Sequence, residues 1–358
     1  MVIIITAIVI LLILNGIITI TLKKATSQSF VGSNQNSISI IIALKNEEEK
    51  IETIIASLNK LDYPAENLEV IFIDDNSTDG TYDNISEKIK GFDNFSVYQL
   101  QSENKSGKRS ALELGISKSV HPYILITDAD CEPEENWLKA YSIKFTEGFD
   151  FLFGISPFFR EKSLVNKISS FENLRNSMLS IFAANIGLPY SAAARNFGFK
   201  KTSFEKVGGY SKTIDTLSGD DDLLLREAFK NSLKIGTVTA KGSFVFSKTK
   251  KTFKDYLNQR ARHTQTSFHY LFKQQLVLGL WHLFNLLIVF SPILFFLDLY
   301  FLLLLPAKLF IDLMIVLFNQ EKFSYKFSFT EVFYLQIFYE LFLIIHFFNA
   351  KFGKIEWK

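Results

Sequence analysis

Two carboxylates one residue apart, Asp128 and Asp130, follow the apolar run 123–127 (YILIT). Their mutual repulsion at the end of a buried strand costs free energy unless a cation or hydrogen-bond donors offset it. A hard divalent ion, Mg2+ or Mn2+, does this, since it takes oxygen ligands and bridges carboxylates to phosphate oxygens. A solvated turn is the alternative, and the strand-end position favours the metal.

Four further clusters carry chemistry. The segment 75–80 (DNSTDG) begins like a calcium loop, but the twelfth position holds Ser86 where a bidentate Glu is needed. What remains is a strand-end loop whose acids suit a nucleobase or ribose, or else a turn with a helix cap at Ser77 or Asp79. Lys105, Gly107, Lys108 and Arg109 put cations and a permissive backbone at a helix start, which suits phosphate. The segment 218–226 (SGDDDLLLR) sets three acids before an apolar helical run, more than a cap requires. Finally, Gln259, Arg260, Arg262 and His263 form a basic helical segment just before a long apolar region. They fit either attraction to anionic lipid or contact with a phosphate-bearing acceptor.

These residues need elements to position them. The run 37–44 (SISIIIAL) reads as a buried parallel strand, and the strand pattern returns at 69–74, 95–100 and 123–127, with helices from about 81 and over 107–117. Such alternation predicts a doubly wound, mostly parallel sheet with its ligand at the carboxyl ends of the strands. Lys45, Asn46 and Glu47, Asp74 and Asp75, and Asp128 and Asp130 all stand at those ends.

Composition bounds the rest. A formal charge of +2, from 39 basic and 37 acidic residues, gives no reason to expect a nucleic-acid partner. One cysteine, Cys131, excludes an intrachain disulfide framework and a thiolate zinc site. The 37 phenylalanines and the other apolar residues concentrate at the two ends of the chain. Residues 2–22 are long and apolar enough to span a bilayer. They lack the basic n-region of a signal peptide, and Lys23 and Lys24 after them place the next segment on the cytoplasmic side. Residues 276–318 suit two closely spaced crossings, and 332–348, with Gln336, Glu340 and His346, either a crossing or an interfacial helix. Lys351, Lys354 and Lys358 beside Trp357 predict a cytoplasmic C-terminus, hence two or four crossings after the catalytic domain.

Seven motifs in order resemble the inverting glycosyltransferases of family 2: IIALKNEEE, IDDNSTDGT, KSGKRSAL, DAD, RNFGFKKTSFEKVGGY, SGDDDLLLR and QRARH. The resemblance covers residues 37–263 and implies a GT-A fold, a mostly parallel α/β sheet between helices, with membrane helices at both ends. It implies a donor site that includes Ala43, Asn46, Glu47, Asp74, Asp75, Lys105, Lys108, Asp128 and Asn196. Asp74 and Asp75 meet the uridine, Asp128 the nucleoside, and Asp130, with Asp128, the metal on the diphosphate. Gln259 and Arg262 match two positions of a Q-x-x-R-W motif, assigned with His263 to acceptor and phosphate, although His263 stands where Trp is usual. That departure argues against processive polymer synthesis.

The family's base is an Asp followed by Leu three residues on and Arg six on, which Asp220 satisfies through Leu223 and Arg226. Asp221 remains a second candidate, since the usual preceding Glu is Gly219 here. The expected organisation is an anchor (1–22), a linker (23–36), a GT-A domain (37–250), an interfacial helix (251–275) and a membrane region (276–358). The expected protein is a multi-pass enzyme of the inner membrane with a cytoplasmic catalytic domain. It moves a sugar from a nucleotide diphosphate, a UDP-sugar by expectation, to a lipid-linked or glycan acceptor with inversion, using Mg2+ or Mn2+. A nucleotidyltransferase of similar fold and a non-catalytic assembly subunit are the rival readings.

Overall fold

The computed structural model describes residues 2–28, 35–100, 107–213, 216 and 219–353. The chain forms two compact units, one of Ser27–Phe159 and Pro189–Lys248, the other of Met1–Thr26, Arg160–Leu188 and Thr249–Lys358.

Along the chain, α1 (Val2–Ala25) precedes β1 (Ile38–Leu44), α2 (Ile51–Leu58), β2 (Leu68–Asp74), α3 (Thr81–Lys88) and β3 (Phe95–Gln99). Then come α4 (Lys108–Lys118), β4 (Tyr123–Asp128), β5 (Cys131–Pro133), α5 (Trp137–Thr146), β6 (Phe151–Gly154) and α6 (Leu164–Asn185). The remainder is β7 (Phe197–Lys200), α7 (Lys201–Lys206), α8 (Asp220–Lys230), β8 (Ile235–Val238), β9 (Val245–Ser247), α9 (Phe253–Thr266), α10 (Phe272–Val289), α11 (Leu304–Asn319) and α12 (Phe329–Phe352).

In the first unit seven strands form one sheet in the order β3-β2-β1-β4-β7-β6-β8, and β5 pairs with β9 separately. The strands expected to be parallel are so: β1 lies between β2 and β4, and β3 runs parallel to β2. Strand β7 enters antiparallel between β4 and β6, which makes the sheet mixed. Strand direction is set by the connections, not by the hydropathy of the strand. Ile38, Ile40, Ile42, Val70 and Phe72 are fully buried and pack with Ile51, Ile54, Trp137 and Tyr141 in one apolar cluster. Each such side chain contributes roughly 1.5–3 kcal/mol of burial. Helix α4 lies close on the sheet because residue 115 is glycine: a Cβ there would stand 2.4 Å from the Ile41 side chain. That approach fixes where the start of α4 falls.

The second unit gathers α1, α6 and α9–α12. Among the described residues four of its helical segments are long and apolar enough to cross a membrane: Val2–Ala25, Phe272–Val289, Leu299–Phe323 and Phe329–Phe352. Their outward residues are large and apolar, among them Ile3, Leu12, Leu283, Phe310 and Phe348. Polar residues turn inward instead, where Lys308 pairs with Asp312 and Glu340, and Gln336 donates to both acids. The segment 332–348 is thus part of a helix of spanning length. Three such segments follow the sheet-bearing unit in sequence where an even number was expected, so a cytoplasmic C-terminus requires one of them not to cross.

Candidate active site

Lys108, in the first turn of α4, is the junction of the candidate site. Its Nζ donates to Asp128 Oδ1 at 2.5 Å, which ties the start of α4 to the end of β4. Burial by itself would lower the Lys108 pKa, but the charge of Asp128, then those of Asp220 and Asp221, raises it above the ordinary lysine range. The Lys108 ammonium group thus pairs with the DxD strand end and also feels the charge at the start of α8.

Register accounts for the level of the strand ends. Ala43 of β1 is paired with Asp128 of β4, and Leu44 with Asp74 of β2. Ala43, half-buried, lines the strand end beside the DxD segment. Beyond it, Asn46 adopts φ 55° and Asn76 φ 53°, left-handed conformations that Asn tolerates better than most residues. The two loops are laced together: Asn46 N donates to Ser77 Oγ at 2.9 Å, Thr78 N to Asn46 Oδ1 at 2.8 Å, and Glu47 N to Thr81 Oγ1 at 2.8 Å. The Glu47 carboxylate pairs with Lys50.

Asp74 and Asp75 are both buried. Asp74 accepts from Ser77 N at 3.2 Å and Gln99 Nε2 at 3.3 Å, and its Oδ1 has no partner. Asp75 accepts from Gly107 N at 3.0 Å on both carboxylate oxygens and lies 3.5 Å from Lys45 Nζ. It thereby holds the residue preceding α4, at a glycine whose φ of 98° suits few other residues. Lys105 lies outside the described residues.

Ligand atoms of Asp128, Asp130 and Cys131 lie within 4.8 Å of one another. Asp130 is exposed, Asp128 half-buried and Cys131 buried, with the thiol 3.6 Å from Asp130 Oδ1. Two convergent carboxylates form a hard oxygen set that fits a divalent ion with phosphate or water completing its shell. Burial, then Asp128 and Asp130, push the Cys131 thiol well above its usual pKa, which keeps it protonated at neutral pH.

On α8 the three acids have different surroundings. Asp222 Oδ1 accepts from Ala192 N at 2.9 Å. Asp221 is pushed well above the usual carboxylate range by burial first, then by Asp222 and Asp220, with Lys108 opposing. Gly219 precedes them in the left-handed region at φ 82°, where glycine replaces the usual Glu without strain.

Asn196 sits elsewhere. It is fully buried, and its Oδ1 accepts from Trp137 Nε1 at 2.8 Å and Tyr141 OH at 2.7 Å while its Nδ2 donates to Ile155 O at 2.8 Å. Its polar groups join α5, the end of β6 and the start of β7 inside the core. Gln259, Arg262 and His263 lie on α9 in the unit that contains the apolar helices, and His263 is exposed.

Two further cations have buried donors. Arg109, one of the cations read from the sequence at the start of α4, has Nε and Nη2 buried with no partner among the described residues. Arg195 donates from Nη2 to Ser156 O at 2.8 Å and stacks on Phe158, and its Nε has no partner. Their sequence signal was membership of the KSGKRSAL and RNFGF segments, which says nothing of an unpaired donor.

The fold, a mostly parallel sheet between helices with this acidic, cation-flanked strand end, is of the GT-A class. Residues 39–208 match the family model described as Glycosyl transferase family 2. The mannosyltransferase PcManGT of Pyrobaculum calidifontis, solved with GDP-Man and Mn2+, shares the fold at a TM-score of 0.59 and 15% identity, over 98% of this chain and 99% of that one. The glycosyltransferase AglE of Haloferax volcanii is 29% identical over 102 residues, 28% of this chain and 33% of that protein. A beta-monoglucosyldiacylglycerol synthase of Nostoc sp. is 35% identical over 101 residues, 28% of this chain and 22% of that protein. The chain thus matches a third or less of the length of these curated relatives.

Proposed function

We propose that the protein transfers a sugar from a nucleotide diphosphate donor, a UDP-sugar, to a lipid-linked or glycan acceptor with inversion at the anomeric carbon. The observation that carries this reading is the ion pair of Lys108 with Asp128 at the end of β4, with the charges of the α8 acids Asp220 and Asp221 also acting on that ammonium group. Such a cation sits where a leaving diphosphate needs one and where an acceptor base needs a neighbour.

In this reading Asp130 and Asp128 hold Mg2+ or Mn2+, which when bound neutralises charge on the diphosphate. Ala43, Asn46, Glu47, Asp74 and Asp75 shape the nucleoside side, and Lys105 and Lys108 serve the phosphates. Asn196 acts on the donor through the core strands that it joins. Asp220, by its place before Leu223 and Arg226, takes the proton from the acceptor hydroxyl. The hydroxyl oxygen forms a bond to the anomeric carbon as the bond from that carbon to the diphosphate oxygen breaks. Asp221 is the alternative base, supported by its raised pKa. Gln259, Arg262 and His263 contact acceptor or phosphate.

The relatives support a lipid or glycan acceptor by their names alone. Lys23 and Lys24 after α1 support an inner-membrane protein with its catalytic unit in the cytoplasm. Membranes containing the protein, incubated with labelled UDP-sugars and Mn2+, are expected to release UDP and to incorporate label. Absence of UDP release from every donor tried sinks the reading, and formation of a nucleotide–sugar bond redirects it to a nucleotidyltransferase.

A further inference from the structure

Glu172 lies in α6, 3% exposed, within the unit that contains the apolar helices. Its Oε1 accepts from Arg260 Nε at 2.8 Å, its Oε2 accepts from Tyr256 OH at 2.5 Å, and His346 Nε2 stands 3.4 Å from Oε1. The tyrosine hydroxyl is also 3.2 Å from His346 Nε2. Tyr256 and Arg260 belong to α9 and His346 to α12, so one carboxylate joins three helices. Burial would raise its pKa, but Arg260 foremost, then His346 and Tyr256, hold it down to about 2, so it is ionised at neutral pH.

A buried charge of this kind is tolerated only while its partners remain in place. Tyr256 and Arg260, four residues apart, share one face of α9. At about 100° per residue, Gln259 and His263 flank that face and Arg262 points roughly 200° from Arg260. The directions of all three depend on the rotation of the helix about its axis.

We propose that Glu172 is a positioning residue that sets the rotation of α9, and so the presentation of Gln259, Arg262 and His263, and that through His346 it makes this presentation depend on α12. The inference rests on the proposed function only for what those three residues contact. The tie between the helices stands apart from it. Helix α12 is then a working part of the acceptor side as well as an apolar segment.

The test uses the full chain in nanodiscs of phosphatidylethanolamine and phosphatidylglycerol, comparing wild type, Glu172→Gln and Tyr256→Phe. Amide exchange over 253–266 is expected to quicken about 10²-fold in Glu172→Gln, with exchange in β1 and β2 unchanged. In parallel, UDP release from UDP-glucose to water is compared with label transfer to vesicles of total membrane lipid extract. The lipid-dependent kcat/KM should fall about 10²-fold while release to water stays within about twofold of wild type. Tyr256→Phe, which removes one hydroxyl, should show the same pattern more weakly, and it decides the matter if Glu172→Gln does not fold. Unchanged exchange in α9 overturns the proposal, and so does an equal fall of both activities with a lower Tm, which marks a merely structural carboxylate. A wild type that releases no nucleotide defeats the functional reading alone, because the exchange result still decides the tie.

Discussion

Lys108 and Asp128 form an ion pair, Nζ to Oδ1 2.5 Å, that joins the first turn of α4 to the last residue of β4. The pair leaves the exposed Asp130 as the more open carboxylate of the two. Lys108→Met removes the charged donor that pairs with Asp128, and a hydrogen bond to a charged group is worth about 1.5–3 kcal/mol. UDP affinity measured calorimetrically with Mn2+ should drop roughly 10- to 100-fold while the Tm moves little. Unaltered affinity would remove Lys108 from the phosphate site.

Replacing Asp130 by Asn deletes one hard ligand from an exposed position, so packing is spared and metal is lost. Turnover and Mn2+-dependent nucleotide binding should disappear together while the far-ultraviolet circular dichroism is retained. Full turnover of this variant in EDTA defeats the metal assignment.

The base is decided by three single substitutions. Asp220→Asn should slow transfer by about 10² to 10⁴ with donor affinity nearly unchanged. Asp222→Asn should cost much less in rate, since Asp222 is already committed to Ala192 N. The raised pKa of Asp221 makes it protonated at low pH and ionised only as pH rises through that value. If Asp221 is the base, the rising limb of the pH–rate profile lies well above the ordinary carboxylate range and vanishes in Asp221→Asn. If Asp221→Asn is crippling and Asp220→Asn mild, the roles exchange.

Asn196→Ala strands Trp137 Nε1 inside the core, whereas Tyr141 OH keeps the backbone carbonyl of residue 196 and the Ile155 carbonyl keeps Val245 N. An orphaned buried partner costs about 1–3 kcal/mol, and a destabilisation of that size is expected. The Tm of the variant reads it directly. A fall in donor affinity with unchanged stability would instead make Asn196 a ligand-contacting residue.

Glu172 has a folded pKa of about 2 against an ordinary 4.5. A depressed carboxyl contributes stability that is complete above about 4.5 and is lost as pH falls through 2. Acidification across that window should loosen α9 in the wild type. Glu172→Gln, which has no carboxylate to protonate, should lack this component in amide exchange over 253–266.

Some of this was legible along the chain. A buried strand declares itself by a short apolar run and a spanning helix by its length, because both are local consequences of what surrounds the backbone. So 37–44, 69–74 and 123–127 read as strands, the acids at their ends read as a crevice, and the two apolar ends read as membrane helices. Spacing likewise singled out Asp128 with Asp130, and the family resemblance implied Asp220 with Leu223 and Arg226.

Tertiary structure alone decided which groups face one another. The antiparallel entry of β7, the pairing of Lys108 with Asp128, and the capture of Asp75 by Gly107 N depend on pairings between residues tens of positions apart. The same holds for Asn196, whose amide resembles a ligand-binding group in sequence until Trp137 and Tyr141 are seen to occupy it. Glu172 was invisible for the same reason: a lone Glu in a helix carries no signal until Tyr256, Arg260 and His346 converge on it from 84, 88 and 174 residues away. Burial and electrostatics are properties of the folded neighbourhood, and linear sequence order does not record that neighbourhood.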